Sequence, residues 1–115
     1  MLTDELKTAL LQFRQARDWE QFHSPRNLAT AISIEAAELL EPFRWASDEQ
    51  SNVIAETRRK EIADEIADLV ILLTYLANDL SIDINDAVAT KIKLNGDKYP
   101  VDVFRGSSRK YSDPL

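Results

Sequence analysis

The stretch EAAELLEPFRWASDEQSNVIAETRRKEIADEIAD, residues 35–68, decides how this chain folds. It contains two acidic pairs at a spacing of three, Glu35 with Glu38 and Glu65 with Asp68, and each pair lies in a segment with helical periodicity. Residues three apart on a helix share a face, so two facing helices can bring all four carboxylates into one small volume. The pattern predicts two packed helices with a carboxylate cluster between them.

Acidic pairs of this spacing are common on solvated helix faces, and only their apolar surroundings set these two pairs apart. Glu35 falls on the apolar stripe of its helix, and Asp68 lies inside an apolar run, so both are expected to be buried. A buried carboxylate without a partner is costly, and too few cations lie nearby in sequence to neutralise this group. We therefore expect a site for Mg²⁺, or for Mn²⁺ as a substitute, with the ligands Glu35, Glu38, Glu65 and Asp68.

Length and charge narrow the classes of protein that this chain can represent. Its 115 residues are expected to form one domain, residues 1–115, and the formal charge of −6 argues against a nucleic-acid partner. There is no cysteine, the apolar run at residues 66–80 is too short and too interrupted by polar residues to span a membrane, and no signal-peptide core is present. A cytoplasmic location without a membrane partner is the simplest interpretation.

Helix signals account for most of the chain and predict an all-α, four-helix bundle. The predicted helices span residues 3–17, 25–41, 52–79 and 83–94. A polar turn is expected at residues 48–52, Asn95-Gly96 is expected to end the fourth helix, and a basic tail follows from about residue 97. The second half of the third helix is apolar almost all round, which predicts burial on every side.

The residue inventory excludes two other kinds of active site. A di-iron centre in a helical bundle pairs its glutamates with E-x-x-H motifs, but the only histidine, His23, lies in a connector and fits a structural role. Nucleophilic catalysis by serine or cysteine has no support, because no cysteine exists and no histidine is placed to activate a serine. A non-catalytic acidic helical module that binds or regulates a protein partner stays open as the alternative.

Several motifs together resemble the MazG-like all-α nucleoside triphosphate pyrophosphohydrolases. The family signature is E-E-x-x-E followed some two to three dozen residues later by E-x-x-D, and both acidic pairs match it. Further matches are RDWEQFHSPRNL at 17–28, FRW at 43–45, K-x-x-x-N-x-x-x-Y-P at 91–100 and SSRKY at 107–111. This combination covers nearly the whole chain and is similar to the dCTP pyrophosphatase branch of the family.

The resemblance implies a fold, an assembly and a reaction. The fold is a four-helix MazG-like bundle assembled as a homo-oligomer, commonly a tetramer built as a dimer of dimers. The reaction is Mg²⁺-dependent hydrolysis of a (deoxy)nucleoside triphosphate at the α-phosphorus, which releases the monophosphate and pyrophosphate. Four helices of this length cannot by themselves enclose both a metal cluster and a nucleotide, which agrees with the implied oligomer.

The resemblance and the reaction also assign residues to the substrate. The two tryptophans are expected to help enclose the base, although each also fits a core or interface role. The triphosphate and sugar are expected to contact Lys91, Asn95 and Tyr99. Charge on the departing pyrophosphate is expected to be stabilised by Lys91, Arg109 and Lys110. The predicted substrate-binding residues are Trp19, Trp45, Lys91, Asn95, Tyr99, Arg109 and Lys110.

Two positions depart from the family pattern. Ile34 stands where the signature has its first glutamate, so the resemblance does not identify the general base. Glu38 is the candidate to orient or deprotonate the attacking water. Leu72, one turn after Asp68, stands where some relatives carry tyrosine, so the preferred base is not assigned.

Overall fold

The computed structural model describes residues 1–113, and within this range all regular structure is helical. The α-helices are α1 Asp4–Ala16, α2 Pro25–Leu40, α3 Asp48–Thr57, α4 Arg59–Asp79, α5 Ile84–Lys98 and α6 Val101–Phe104. Short 3-10 turns at Trp19–Phe22 and Glu41–Phe43 follow α1 and α2. The predicted all-α class is confirmed. The chain divides into two compact units, residues 2–81 and, together with Met1, the residues from 82 onward.

Side-chain caps explain where the helices begin. The hydroxyl of Thr3 accepts a hydrogen bond from the Leu6 N–H at 3.2 Å, and that of Ser24 accepts one from the Asn27 N–H at 3.1 Å. Each cap satisfies a backbone donor that the first turn of a helix leaves free. The predicted beginnings of α1 and α2 are therefore confirmed.

The predicted third helix, residues 52–79, is wrong in its boundaries, because two helices occupy this region. The predicted polar turn at 48–52 is the first turn of α3, where Ser47 and Gln50 form a reciprocal capping box. The backbone then leaves the helical range at Arg58, with φ −112° and ψ 28°, and α4 begins at the next residue. No glycine or proline marks this break, so the sequence carried no signal for it.

The predicted end of the last long helix is also wrong. Gly96 lies inside α5, which continues to Lys98, and the Tyr99 N–H donates to the Asn95 carbonyl at 2.8 Å. An isolated glycine costs a helix only about 1 kcal/mol relative to alanine, so it does not force an end. The predicted basic tail from about residue 97 includes the last turn of α5 and the short helix α6.

In the unit of residues 2–81, α2 and α4 form the most extensive helix pair. Leu28 of α2 is only 1% exposed, and Tyr75 and Ala77 of α4 are buried. The prediction that the second half of the long helix is buried on all sides is wrong for the single chain, because Ile66 is 50% exposed and Leu73 is also exposed. Within residues 1–113, no helix is both long and apolar enough to cross a membrane.

Candidate functional site

The packing of α2 against α4 brings three of the four predicted metal ligands together. Oxygens of Glu35 and Glu38 on α2 and of Glu65 on α4 all lie within 4.8 Å of one another. Asp68, one turn further along α4, lies outside this cluster and lines a cleft together with Glu35. Asp68 is exposed, so its predicted burial is wrong, while Glu35 is half-buried.

The cluster contains unmet hydrogen-bonding capacity. The Oε2 atoms of Glu35 and Glu65 are both buried and have no hydrogen-bond partner within residues 1–113. The pKa of Glu35 is raised, first by the neighbouring Glu65 carboxyl and then by burial. The pKa of Glu38 is also raised, first by its interaction with the Glu35 carboxyl and then by the Glu35 charge. Crowded oxygens without donors are the surroundings that a hard divalent cation would satisfy, so these residues fit Mg²⁺ or Mn²⁺.

The carboxylates border two clefts in this unit. One, of about 210 Å³, is lined by Glu38 and Glu65 together with the side chain of Arg58. Arg58 donates to Glu61 at 2.5 Å in an exposed ion pair, so a cation lies beside this cleft. The other cleft, of about 340 Å³, has a mainly apolar and aromatic wall.

The second cleft is here called the aromatic cleft, and it contains one predicted substrate-binding residue. Glu35 and Asp68 supply its polar edge, and its remaining lining residues are Leu10, Phe13, Trp19, His23, Ile71, Leu72 and Tyr75. Trp19 meets Phe13 edge-to-face with ring centroids 5.7 Å apart. The position of Trp19 is therefore compatible with its predicted contact to a base. Leu72 leaves this part of the wall apolar.

The second predicted tryptophan lies elsewhere in the single chain. Trp45 is 85% exposed and lines a separate groove with Pro42 and Val53. The Arg44 guanidinium lies 4.8 Å from the centre of its ring. One chain therefore does not bring Trp45 into the aromatic cleft beside Trp19, and the predicted enclosure of one base by both would require a rearrangement or a second subunit.

The remaining predicted substrate residues lie in the unit from residue 82 onward. Lys91 and Asn95 are exposed one turn apart on α5. Tyr99 packs edge-to-face against Phe104 and Tyr111, with centroids 4.9 and 5.9 Å away. Of the two tail cations, Arg109 is half-buried, with its guanidinium carbon 5.2 Å from the centre of the Phe104 ring, and Lys110 is exposed. Their approach to the carboxylates stays a prediction.

A charged cluster of Arg14 and Asp79, which the sequence did not predict, contacts two residues of the aromatic cleft, His23 and Tyr75. Arg14, only 3% exposed, donates two hydrogen bonds to Asp79, of 2.9 Å from Nη1 and 2.7 Å from Nη2. Arg14 Nη1 also lies 3.5 Å from Nδ1 of His23, and its guanidinium carbon is 4.5 Å from the centre of the Tyr75 ring. A signal did exist, since an arginine four residues after Leu10 falls on the apolar stripe of α1.

Comparison with known proteins agrees with this architecture. The MazG-like family matches residues 30–113, a range that includes both acidic pairs and most of the motifs described above. The match covers well over half of the chain. The protein belongs to the MazG-like family.

Individual relatives share more of the chain. It is 39% identical over 112 residues to dCTP pyrophosphatase 1 of Bos taurus and 37% identical over 112 residues to that of Homo sapiens, in each case over 96% of this chain. This chain spans 66% of the length of each of these two relatives. The crystal structure of a pyrophosphatase from Archaeoglobus fulgidus DSM 4304 superposes with a TM-score of 0.82 at 43% identity, covering 84% of this chain and 91% of that one. The chain therefore has the all-helical fold of a MazG-like pyrophosphatase.

Proposed function

We propose that this protein hydrolyses a (deoxy)nucleoside triphosphate between the α- and β-phosphates, releasing the nucleoside monophosphate and pyrophosphate. The observation that carries the proposal is the cluster of Glu35, Glu38 and Glu65, whose oxygens lie within 4.8 Å of one another. Two of these oxygens are buried and have no hydrogen-bond partner in the described part of the chain, residues 1–113. The similarity of this chain to dCTP pyrophosphatases supports a dCTP-like substrate.

The cofactor that we propose is Mg²⁺, with Mn²⁺ as a substitute. Glu35, Glu38 and Glu65 would hold it, and Asp68 is the fourth proposed ligand because it lies one turn from Glu65 on α4. When bound, a divalent cation of this kind lowers the pKa of a water molecule and offsets the negative charge on phosphate oxygens. The crowding of these carboxylates supports this assignment, because two of their buried oxygens have no hydrogen-bond partner among residues 1–113.

Residues around the carboxylate cluster are proposed to have two separate roles, activation of water and binding of the base. Glu38 is exposed and belongs to the carboxylate cluster, so we propose that it orients or deprotonates the attacking water. Trp19 lies in the aromatic cleft beside the carboxylates Glu35 and Asp68, which supports binding of the base in that cleft. Such a cleft also keeps bulk water away from one side of the substrate.

We also propose that residues of the unit after residue 82 contact the substrate. Lys91 and Asn95 lie one turn apart on α5, so both can contact one triphosphate group. Tyr99 is proposed to contact the sugar or phosphates, and Arg109 and Lys110 to stabilise charge on the departing pyrophosphate. Because the net charge is −6, an anionic substrate must arrive with metal or meet a local group of cations.

We further propose that the active form is a homo-oligomer, a tetramer built as a dimer of dimers. Large apolar side chains are exposed on the single chain, including Ile34, Leu40, Trp45 and Ile66. Large apolar side chains exposed in this way are typical of an interface between subunits. A partner subunit also provides a way to bring Trp45 to a bound base. The cytoplasmic location stays a prediction from the sequence.

A nucleotide panel tests the reaction directly. The purified protein is incubated with each of the common ribo- and deoxyribonucleoside triphosphates in Mg²⁺, and the products are separated by ion-exchange chromatography. Monophosphate with pyrophosphate is the expected product pair, with dCTP among the best substrates. Diphosphate with phosphate would indicate another phosphohydrolase, and the absence of turnover on every nucleotide would favour a non-catalytic interaction module.

Matched variants test the assigned residues. Glu38→Gln and Asp68→Asn each remove one negative charge with little change in size, and each is expected to lower kcat by about a hundredfold or more. Asp64→Asn is the control for Asp68→Asn, because Asp64 lies one turn earlier on α4 and pairs with Lys60 at 2.9 Å. Circular dichroism should show equal helicity for all three variants. Wild-type rates in Glu38→Gln and Asp68→Asn would remove the assignment.

A further inference from the structure

The contact between Arg14 and His23 restricts the chemistry of the only histidine in the chain. Arg14 is held in place by its two hydrogen bonds to Asp79, and its Nη1 lies 3.5 Å from Nδ1 of His23. A guanidinium has donors only, so the contact is favourable when the imidazole nitrogen that faces it offers a lone pair. A proton on Nδ1 would set one donor against another.

This geometry selects one of the forms that histidine can take. With the lone pair on Nδ1, a neutral imidazole carries its proton on Nε2, and the doubly protonated cation would place an N–H and a second positive charge against Arg14. The pKa of His23 is lowered, first by burial and then by the Arg14 charge. The charges that face His23 come from α1, α4 and the first 3-10 turn, and they belong to Arg14, Asp79 and Glu20. The two carboxylates act in the opposite direction, and the net shift stays downward.

The other edge of the ring is available to a ligand. His23 lines the aromatic cleft, and its ring lies against Tyr75 with centroids 5.3 Å apart. Within residues 1–113, Nε2 makes no hydrogen bond and is not among the buried unpartnered atoms. The Nε2–H group is therefore a donor without a protein acceptor, beside a cleft that offers few other polar groups.

We propose that Arg14, clamped by Asp79, is a positioning residue that fixes His23 in the Nε2–H form, so that the wall of the aromatic cleft presents a hydrogen-bond donor to a bound base. The ligand chemistry that this donor recognises is a carbonyl oxygen or ring nitrogen on the edge of the base. This part of the inference rests on the proposed function, whereas the form of His23 in the free protein does not.

The single histidine makes the decisive measurement simple. In a sample labelled with ¹⁵N at histidine, two-bond ¹H–¹⁵N correlation spectra of the free full-length protein at neutral pH report which ring nitrogen carries the proton. The expected spectrum is that of one neutral form with the proton on Nε2. A protonated Nδ1, a mixture of both forms or an imidazolium cation at pH 7 would overturn the proposal, whatever the activity of the protein.

Substitutions of Arg14 separate positioning from general structural support. In Arg14→Gln the side chain can offer a carbonyl oxygen to Nδ1, so a measurable share of the Nδ1–H form and a higher His23 pKa are expected. Arg14→Lys keeps a donor-only cation within reach of Asp79 and should retain the wild-type spectrum. Lys7→Gln, two turns earlier on α1, is the matched control for removal of one positive charge. If Arg14→Gln fails to fold, Arg14→Lys and the wild-type spectrum still decide the question, because a mixture in either would overturn the proposal.

The ligand step has its own readout. Addition of dCTP in the presence of EDTA, which prevents turnover, should shift the His23 Nε2–H signal, and Arg14→Gln should raise KM for dCTP about tenfold with kcat nearly unchanged, the loss expected for one hydrogen bond. An unshifted signal with dCTP bound, or an equal loss of kcat in Arg14→Gln, would overturn the role in base binding. Absence of turnover on every nucleotide would instead refute the proposed function and leave the spectrum of the free protein as an independent result.

Discussion

Neutralising Glu35 should make the metal-free protein more stable while removing its response to Mg²⁺. The perturbation is Glu35→Gln, which keeps the shape of the side chain and replaces a carboxylate by an amide. Glu35 and Glu65 have oxygens within 4.8 Å of each other, and each has a buried oxygen without a partner. A glutamine amide at position 35 removes one negative charge and supplies a donor for the Glu65 carboxylate.

The size of the effect follows from Coulomb's law. Two unit charges separated by the 4.8 Å upper limit of this cluster repel by ~0.9 kcal/mol in bulk water and by ~3.5 kcal/mol at an effective dielectric of about 20. Because Glu35 is only half-buried, the lower part of this range applies, and we expect a gain of about 1–2 kcal/mol in the free energy of unfolding. For a chain of this size that gain corresponds to a rise in Tm of roughly 4–8 °C.

The assay is thermal unfolding followed by circular dichroism, in EDTA and again in millimolar Mg²⁺. Wild type should gain stability on addition of Mg²⁺, because a cation that binds only the folded state shifts the unfolding equilibrium. Glu35→Gln should begin at a higher Tm and gain little. Glu56→Gln, an exposed glutamate of α3 outside the cluster, is the matched control and should behave like wild type in both conditions. A lower Tm for Glu35→Gln in EDTA together with a wild-type response to Mg²⁺ would refute the reasoning.

Three further predictions concern stability and assembly. The Arg14 guanidinium holds the pKa of Asp79 below its usual range, so Asp79→Asn should lower the free energy of unfolding by about 1 kcal/mol. This loss should be constant above about pH 5 and should disappear as the pH falls through the lowered pKa of Asp79. Urea unfolding of both proteins between about pH 3 and 7 measures the difference. Ser47→Ala breaks the capping box with Gln50 and should cost about 1 kcal/mol in the same assay, and an unchanged midpoint would contradict that role. Ile66→Asp places a charge on the exposed apolar face of α4 and should reduce the assembly to smaller species in light scattering, whereas an unchanged mass would place the subunit interface elsewhere.

The sequence predicted the beginnings of α1 and α2 but missed the beginning of α3, although the capping box of Ser47 and Gln50 is a local signal. The caps at Thr3 and Ser24 are local, and both beginnings were predicted correctly. The break at Arg58 was not predictable, because it contains no glycine or proline and depends on how α3 packs against α4. Gly96 misled in the opposite direction, since a glycine permits a helix to end but does not require it.

The candidate site shows the same division between local pattern and tertiary contact. The spacing of Glu35 and Glu38 predicted that these two side chains share a face of one helix, whereas their meeting with Glu65 depends on the packing of α2 against α4. The ion pair of Arg14 with Asp79 joins residues 65 positions apart, and no periodicity in one sequence indicates such a pairing. Burial of Asp68 was overestimated because an apolar run shows that a helix has apolar faces but not whether another helix of the same chain covers them.

The continuous helix α4 fixes the distance and the relative orientation of Asp68, near the carboxylate cluster, and Asp79, the partner of Arg14. Asp68 and Asp79 are 11 residues apart, close to three full turns, so they lie on one face at positions about 16 Å apart along the axis. Leu72 and Tyr75, which line the aromatic cleft, fall between them on that same face. Inserting or deleting one residue in this interval would rotate one group about 100° away from the other. Length changes between residues 68 and 79 should therefore be far less tolerated than substitutions, because no loop lies within α4 to absorb them.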